Sequence, residues 1–172
     1  MPICYLDRDG VINHHLPYVG NLESFFWHLE IIEILKILKR FNYDFILVTN
    51  QSGIGRGYYS FEQFDQINNV IKEKFRLNDL SIEIRFCPHT PNCNCNCRKP
   101  KTGMIDNDLR TQEDIFIGDQ PSDMICAFTG GVIHRWLINK ENYKFSTRWA
   151  KNHKQLLLEI EKWYENDIKK ND

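Results

Sequence analysis

The 172-residue sequence lacks both a long hydrophobic run and any sizeable net charge. No stretch approaches the roughly 18 consecutive apolar residues that a membrane-spanning helix needs. The formal net charge of −1 gives no general attraction to nucleic acid or to an acidic membrane surface, although it leaves room for a local patch. We therefore expect neither nucleic acid nor a membrane among the partners of this protein.

A secretory signal is also missing from the first residues, MPICYLDRDG, because they have no basic start and their short apolar run ends at the charge of Asp7. We therefore expect a cytoplasmic protein. In a reducing compartment, clustered cysteines are more often metal ligands than disulfides. Of the six cysteines, Cys4 and Cys126 lie in apolar surroundings and are expected in the core.

Neither an internal repeat nor a long linker interrupts the chain, which predicts one domain over residues 1–172. Short apolar segments alternate with amphipathic ones, and such alternation predicts a three-layer α/β fold, a Rossmann-like parallel sheet with helices on both faces. The segments expected as strands are 2–6, 44–48, 82–86, 114–118 and 131–137. The segments expected as helices are 30–41, 61–75, 103–112, 121–130 and 147–169.

Polar segments follow four of the expected strands. Because ligands of such sheets bind beyond the carboxyl ends of the strands, we expect these segments to meet at one edge. They are Asp7-Arg8-Asp9-Gly10, Thr49-Asn50-Gln51, the Cys/His segment that ends in Arg98-Lys99, and Gly118-Asp119.

These segments together carry the groups that phosphoryl transfer requires. Of the paired carboxylates Asp7 and Asp9, one can attack as a nucleophile while the other delivers a proton to the leaving group. Asp119 adds a third carboxylate, which suits Mg²⁺. Thr49 offers a hydroxyl, and Lys99 offers a compact positive charge for phosphoryl oxygens. Each residue alone is as well explained by a helix cap or a solvated loop, but the four segments in this order favour the catalytic interpretation.

The same segments resemble a known family. DRDGVIN (7–13), VTNQSG (48–53), CRKPKTG (97–103) and IGDQPSD (117–123) are similar to the four motifs of the haloacid dehalogenase superfamily in its phosphatase form. The resemblance covers roughly residues 3–135. It is closest to the zinc-containing D-glycero-D-manno-heptose 1,7-bisphosphate phosphatases and the related histidinol-phosphate phosphatases.

The resemblance implies a role for each motif residue. Asp7 would be phosphorylated during turnover, and Asp9 would be the general acid and base. Mg²⁺ would be held by Asp7, the backbone carbonyl of Asp9 and Asp119. Thr49 and Lys99 would bind the transferring phosphoryl group.

Three further motif residues are expected to act around this centre. The resemblance implies that Arg98 helps to recognise the substrate. Asp123 either supports the metal through water or lies in the first turn of a helix. Gln120 occupies a position where these families usually have a basic residue, which predicts weaker affinity or a shifted substrate preference.

The segment CPHTPNCNCNC (87–97) is similar to the zinc loop of this branch. The resemblance implies the ligands Cys87, His89, Cys95 and Cys97, with the spacing of histidinol-phosphate phosphatases. Three thiolates and one imidazole make a closed tetrahedral site, so the Zn²⁺ would be structural. Cys93 repeats the spacing of Cys95 and is the alternative ligand; a disulfide pair and a nucleic-acid finger are the competing interpretations of the whole loop.

The position of this loop suggests what the zinc is for. Lys99 follows Cys97 by only two residues, and Pro100 restricts the backbone after it. Zinc binding can supply on the order of 10 kcal/mol of ordering free energy. We expect zinc to fix Arg98 and Lys99 over the phosphate.

Substrate specificity is expected to come from loops, since no segment is long enough for a folded cap domain. The loop 13–19 contributes His15 and Tyr18, and the glycine-rich loop 52–59, which resembles the heptose phosphatases, contributes Arg56. Arg56 and Arg98 are charges that could hold a second phosphate. The remaining residues expected around the substrate are Asn50, Gln51 and Ser52.

The sequence thus predicts a capless, monomeric, Mg²⁺-dependent phosphatase with a structural Zn²⁺ and a small phosphorylated sugar as its substrate. The resemblance implies removal of the C7 phosphate of the heptose bisphosphate through an aspartyl-phosphate, on the route to nucleotide-activated heptose of lipopolysaccharide. Histidinol phosphate is the alternative substrate within the family. Outside it, the alternative is a non-catalytic zinc-binding interaction module, and a polynucleotide 3′-phosphatase is a further possibility that would need a basic groove.

Overall fold

The structure is a computed structural model that describes residues 1–105 and 111–165. Within these ranges the chain forms six strands and five helices. The strands are β1 (Ile3–Leu6), β2 (Asp44–Asn50), β3 (Glu83–Cys87), β4 (Ile115–Gly118), β5 (His134–Ile138) and β6 (Arg148–Ala150). The helices are α1 (Ile31–Arg40), α2 (Ser52–Gly55), α3 (Phe61–Arg76), α4 (Pro121–Thr129) and α5 (His153–Trp163).

The strands form one sheet in the order β3-β2-β1-β4-β5-β6, and every neighbouring pair is parallel. Successive strands run outward from β1 in both directions. The strand order therefore reverses between β1 and β4, and ligands bind at the carboxyl edge beside such a point in sheets of this kind.

Helices cover both faces of the sheet, as the sequence predicted. Because side chains alternate along a strand, Cys4 and Leu6 of β1 join the apolar cluster that α1, α3 and α5 cover, while Ile3 and Tyr5 join the cluster under α4. The three-layer α/β fold is thus confirmed. Cys4 and Cys126 are buried in these clusters, as expected.

Two of the predicted helices differ from the structure. The helix predicted over 147–169 begins only at His153, because Arg148–Ala150 pairs with β5 as the edge strand β6. Residues 166–169 lie outside the described residues. Of the helix predicted over 103–112, residues 103–105 and 111–112 lie in turns and loops, and 106–110 lie outside the described residues.

The connection from β1 to α1, which leaves the carboxyl edge, is mostly loop. Between β1 and α1 the structure has one short 3₁₀ turn, Leu22–Ser24, and isolated bridges from Asn13 to Asp9 and Trp27.

Among the described helices, none has the length and apolar character needed to cross a membrane.

Candidate active site

A cavity of about 330 Å³ lies at the carboxyl edge of the sheet. Most residues that the sequence assigned to catalysis or substrate binding line this cavity. They are Asp7, Asp9, His15, Tyr18, Thr49, Asn50, Gln51, Ser52, Arg98 and Lys99. Arg56 is exposed in the loop after α2 and is not among the lining residues.

Lys99 lies at the base of the cavity and is only 4% exposed. Its ammonium group donates to Asp7 Oδ1 at 2.7 Å and to the Val48 carbonyl at 2.8 Å, and it pairs with Asp123 Oδ1 at 2.7 Å. Burial lowers the pKa of Lys99, but the charges of Asp123 and Asp7 outweigh burial and raise it above its ordinary value. Lys99 is therefore a permanent cation with all three of its donors in use.

Three carboxylates lie close together at this point, and two of them contact the lysine. Oxygen atoms of Asp7, Asp119 and Asp123 lie within 4.8 Å of one another, and all three residues are buried. Burial raises the pKa of Asp7, Lys99 lowers it, and the neighbouring carboxylates raise it further. A cation among them would offset this repulsion and keep Asp7 ionised.

The donor set fits Mg²⁺. Among the described residues, Asp119 Oδ1 is buried and has no hydrogen-bond partner, which leaves a free oxygen next to the other two carboxylates. Hard oxygen ligands from one or two carboxylates are what Mg²⁺ prefers. Gly10, with a φ of +87°, passes so close to the Asp119 carboxylate that a side chain at position 10 would overlap it.

Asp123 is both a member of the carboxylate cluster and a helix-capping residue. It lies in the first turn of α4, where Oδ2 accepts from the backbone N–H groups of Asp119 (3.2 Å) and Gln120 (3.0 Å). Its Oδ1 pairs with Lys99. The residue therefore caps the helix and anchors the lysine at the same time.

Three side chains hold the Asp9 carboxylate in place. Arg8 donates from Nη2 to both carboxylate oxygens at 3.0 Å, and Asn13 donates to Oδ1 at 2.9 Å. Gln51 donates to Oδ2 at 2.9 Å. Arg8 and Asn13 are fully buried, and sequence analysis assigned neither of them a function. Their place inside DRDGVIN, before and after Asp9 in the sequence, is the signal that could have identified them.

Gln51 is shared between three side chains. Its Nε2 also donates to Thr49 Oγ1 at 2.7 Å, and its Oε1 accepts from the Tyr59 hydroxyl at 2.5 Å. Tyr59 lines the cavity as well. Sequence analysis did not single it out, since an aromatic residue beyond the motif carries no local signal of its contact.

His15 and Gln120 both contact Asp119. His15 Nδ1 lies 2.9 Å from Asp119 Oδ2, and Gln120 Nε2 donates to the same oxygen at 2.7 Å. The hydrogen bond to Asp119 raises the pKa of His15 to about 9, against the lowering effect of burial. A loop histidine thus places positive charge at the edge of the cavity, near the position where the basic residue is missing.

Asn50 fixes the backbone of Lys99 to the end of β2. Its Nδ2 donates to the Lys99 carbonyl at 3.1 Å, and its Oδ1 accepts from the Lys99 N–H at 3.0 Å. Arg98 is held differently, since its Nη1 donates to the His89 carbonyl in the Cys/His loop at 3.3 Å.

The Cys/His loop brings four donors together. The donor atoms of Cys87, His89, Cys95 and Cys97 all lie within 4.8 Å of one another. Cys87 Sγ is 3.5 Å from both His89 Nδ1 and Cys95 Sγ, and His89 Nδ1 is 3.3 Å from Cys97 Sγ. Sulfur atoms 3.5 Å apart are not bonded, and all six cysteines are free thiols. The set fits a closed tetrahedral Zn²⁺ site.

Cys93 lies outside this four-donor cluster. Its exposed thiol contacts the Thr90 hydroxyl at 3.3 Å instead. The backbone explains the difference, because Asn94 turns through a left-handed conformation (φ 45°) between Cys93 and Cys95.

Comparisons with known proteins agree with this geometry. The family model described as polynucleotide kinase 3 phosphatase matches residues 17–159. A D-glycero-beta-D-manno-heptose-1,7-bisphosphate 7-phosphatase of Helicobacter pylori strain J99 is 36% identical over 89% of this chain and 93% of its own length. The corresponding alpha-heptose enzyme of Campylobacter jejuni is 38% identical over 89% of this chain and 92% of its own length.

Solved structures share the fold. The structure of D,D-heptose 1,7-bisphosphate phosphatase from B. bronchiseptica, complexed with magnesium and phosphate, superposes with a TM-score of 0.83 at 23% identity. The match covers 94% of this chain and 99% of that one.

Proposed function

This chain belongs to the polynucleotide kinase 3 phosphatase family, and on that premise we propose that it is a magnesium-dependent phosphatase of D-glycero-D-manno-heptose 1,7-bisphosphate. It removes the C7 phosphate on the route to nucleotide-activated heptose. The observation that carries the proposal is the Asp7–Lys99 pair inside a cluster of three buried carboxylates at the carboxyl edge of the sheet. The named activity of the relatives at 36% and 38% identity supports the choice of substrate.

Asp7 is the nucleophile. Its carboxylate oxygen attacks the C7 phosphorus, the bond from phosphorus to the sugar oxygen breaks, and an aspartyl-phosphate forms. Water then attacks this phosphorus and releases inorganic phosphate. Asp7, the Asp9 carbonyl and Asp119 would hold Mg²⁺, which would neutralise charge on the phosphoryl oxygens.

Asp9 transfers the protons of both steps. It gives a proton to the departing sugar oxygen and takes one from the attacking water. The hydrogen bonds from Arg8, Asn13 and Gln51 aim its carboxylate into the cavity. A general acid that is out of position transfers its proton less effectively, so we expect these three donors to raise kcat.

Lys99 and Thr49 bind the phosphoryl group. Before reaction, one N–H of Lys99 is directed at Asp7 Oδ1. When that carboxylate becomes an ester it loses its negative charge, and the same N–H can turn to an equatorial phosphoryl oxygen. The Thr49 hydroxyl accepts from Gln51 and so keeps its own proton free to donate.

The mouth of the cavity selects the sugar bisphosphate. His15, Tyr18 and Arg98 all line it. Arg98 is the cavity residue with the reach and charge to hold a second phosphate, whereas Arg56 would need its loop to move. We also assign the four-donor cluster to a structural Zn²⁺ and expect a monomeric cytoplasmic protein, as the sequence predicted.

Release of inorganic phosphate in the presence of Mg²⁺ tests the proposal. The substrates are the α and β anomers of the heptose 1,7-bisphosphate, histidinol phosphate and an oligonucleotide with a 3′-phosphate. The α and β forms are both needed because relatives of each name have similar identity to this chain. Asp7→Asn is the inactive variant, and Asp65→Asn, at an exposed position of α3, is its control.

Release from the heptose bisphosphate in the wild type and in Asp65→Asn, but not in Asp7→Asn, is the expected result. Release from histidinol phosphate alone would replace the substrate while keeping the chemistry. Release from the oligonucleotide alone would make the protein a polynucleotide 3′-phosphatase, the activity in the description of its family model. No release from any of them would refute the enzyme assignment.

A further inference from the structure

The buried side chain of Gln51 links Asp9 and Thr49, two residues of the candidate active site. It is 2% exposed, so its amide has almost no contact with solvent. One nitrogen donates to Asp9 Oδ2 and to Thr49 Oγ1, which are the proposed proton-transfer group and a proposed phosphoryl ligand. Any rotation of this amide changes the contacts of both.

The orientation of the amide has a chemical cause. Both oxygens of the Asp9 side chain accept hydrogen bonds in this structure, so the nitrogen end of the Gln51 amide faces Asp9. The oxygen end then faces the Tyr59 hydroxyl, which must donate its proton to it. The order of donors therefore runs from Tyr59 through Gln51 to Asp9 and Thr49.

Tyr59 is built to keep this contact. Its ring is 7% exposed and lies against Gly20 on one loop and Gly53 of α2 on the other. A Cβ at either glycine would overlap the ring, so the ring occupies space that these two residues leave open. Burial raises the pKa of Tyr59 to about 12, and the hydroxyl therefore remains a donor at neutral pH.

We propose that Tyr59 is a positioning residue of the phosphatase reaction, which fixes the Gln51 amide and through it the side chains of Asp9 and Thr49. Tyr59 touches neither of those two side chains by a hydrogen bond of its own in the described structure. Its effect on the rate therefore passes through Gln51. The inference rests on the proposed function for its activity readout.

A double-mutant cycle tests this dependence. Tyr59→Phe removes only the hydroxyl, and Gln51→Met removes the amide while keeping the length of the side chain. Loss of one neutral hydrogen bond corresponds to a roughly 3- to 10-fold lower kcat for Tyr59→Phe, with KM changed less than about twofold. In the Gln51→Met background the same substitution should lower kcat no further.

Tyr43→Phe is the matched control. Tyr43 is buried to a similar degree, and its hydroxyl donates to the Glu113 carbonyl at 2.7 Å, away from the cavity. The Tyr43→Phe variant should have a lower Tm than the wild type, as Tyr59→Phe should, but its kcat should be unchanged. If Tyr59→Phe lowers kcat by the same factor with and without Gln51, or if Tyr43→Phe lowers it equally, the positioning role is overturned.

A spectroscopic readout separates this inference from the proposed substrate. The side-chain amide resonances of Gln51, assigned by their loss in Gln51→Met, should shift in Tyr59→Phe and stay in place in Tyr43→Phe. Unshifted resonances in Tyr59→Phe would overturn the inference whatever the substrate is. If histidinol phosphate rather than the heptose bisphosphate is hydrolysed, the proposed function fails and the kinetic cycle is measured on histidinol phosphate.

Discussion

One buried lysine pairs with two of the three carboxylates at the centre of the site. Lys99 is 4% exposed, and its two acidic partners, Asp7 and Asp123, are 7% and 1% exposed. Removing an ammonium group from water is unfavourable, and the two carboxylates offset this only because both contact it at 2.7 Å. The cluster is thus stable as a unit and unstable when one member is removed.

We expect Lys99→Met to lower the free energy of unfolding by about 3–5 kcal/mol, because it leaves two buried carboxylates without a cation. Mg²⁺ should recover part of this loss, since it binds the same carboxylates. Urea unfolding with and without Mg²⁺ measures both effects. Lys36→Met is the control, because Lys36 pairs with Glu33 on the exposed side of α1 and such a pair contributes less than about 1 kcal/mol. Equal losses for the two variants would contradict the assignment.

Sequence patterns identify the residues that take part in the reaction better than the residues that position them. Asp7, Asp9 and Lys99 stand at strand ends within motifs, and the structure brings them to one cavity. Arg8 and Tyr59 are held by contacts that depend on the path of two loops: Arg8 donates to the Val19 carbonyl, and Tyr59 donates to Gln51. No local spacing encodes that path, so these roles emerge only from the folded chain.

At the scale of elements, β2 positions Lys99 and the Cys/His loop positions Arg98. The sequence predicted that zinc orders both Arg98 and Lys99. The structure adds that the backbone of Lys99 is tied to Asn50 by two hydrogen bonds, while Arg98 is tied to the loop through the His89 carbonyl. Loss of zinc should therefore affect substrate binding by Arg98 more than the position of Lys99.

We expect Cys95→Ser to bind less than about one tenth of the zinc that the wild type binds, because a neutral hydroxyl replaces one of four ligands. Cys93→Ser should bind zinc at the wild-type level, since Cys93 lies outside the cluster. Metal analysis of the purified proteins measures the stoichiometry, and kinetics with Mg²⁺ present should show a raised KM in Cys95→Ser. Loss of zinc in Cys93→Ser would mean that Cys93 is a ligand after all.

The edge strand β6 could not be predicted from the sequence pattern. Its three residues, Arg148–Ala150, are too few to show the alternation of a strand, and they precede an amphipathic helix whose pattern dominates the window. The pairing with β5 and the bond from the Trp149 indole to the Asn139 carbonyl decide the conformation instead. Longer elements such as α1 and α3 were predicted within one residue at each end.

At the scale of the whole molecule, the family and the α/β architecture that four short motifs indicated are confirmed by the relatives and by the shared fold. Motif order determines the family because each motif follows a different strand of one parallel sheet. The sheet order brings those strand ends to one edge although the motifs lie far apart along the chain. The substrate stays a proposal, because the loops at the mouth carry that information.

A stack of three histidines joins distant parts of the fold. The ring of His28, before α1, lies between those of His14 in the first loop and His153 of α5, with centroid distances of 4.3 and 3.6 Å. Burial, followed by the neighbouring histidines, lowers the pKa of His28 to about 4. Burial also lowers the pKa of His153, although its bond to the Val11 carbonyl and the charge of Glu30 act in the opposite direction.

The stack makes the stability of the fold depend on pH in a defined direction. A histidine whose pKa is lower in the folded state than its unfolded value of about 6.5 binds fewer protons when folded. Its favourable contribution is therefore present above pH 6.5 and is lost as the pH falls toward 4. We expect His28→Phe, which keeps an aromatic ring in the stack but cannot be protonated, to lose less unfolding free energy than the wild type over this window. Urea unfolding at several pH values between 7 and 4 measures the two slopes, and parallel curves would show that protonation of His28 does not oppose folding.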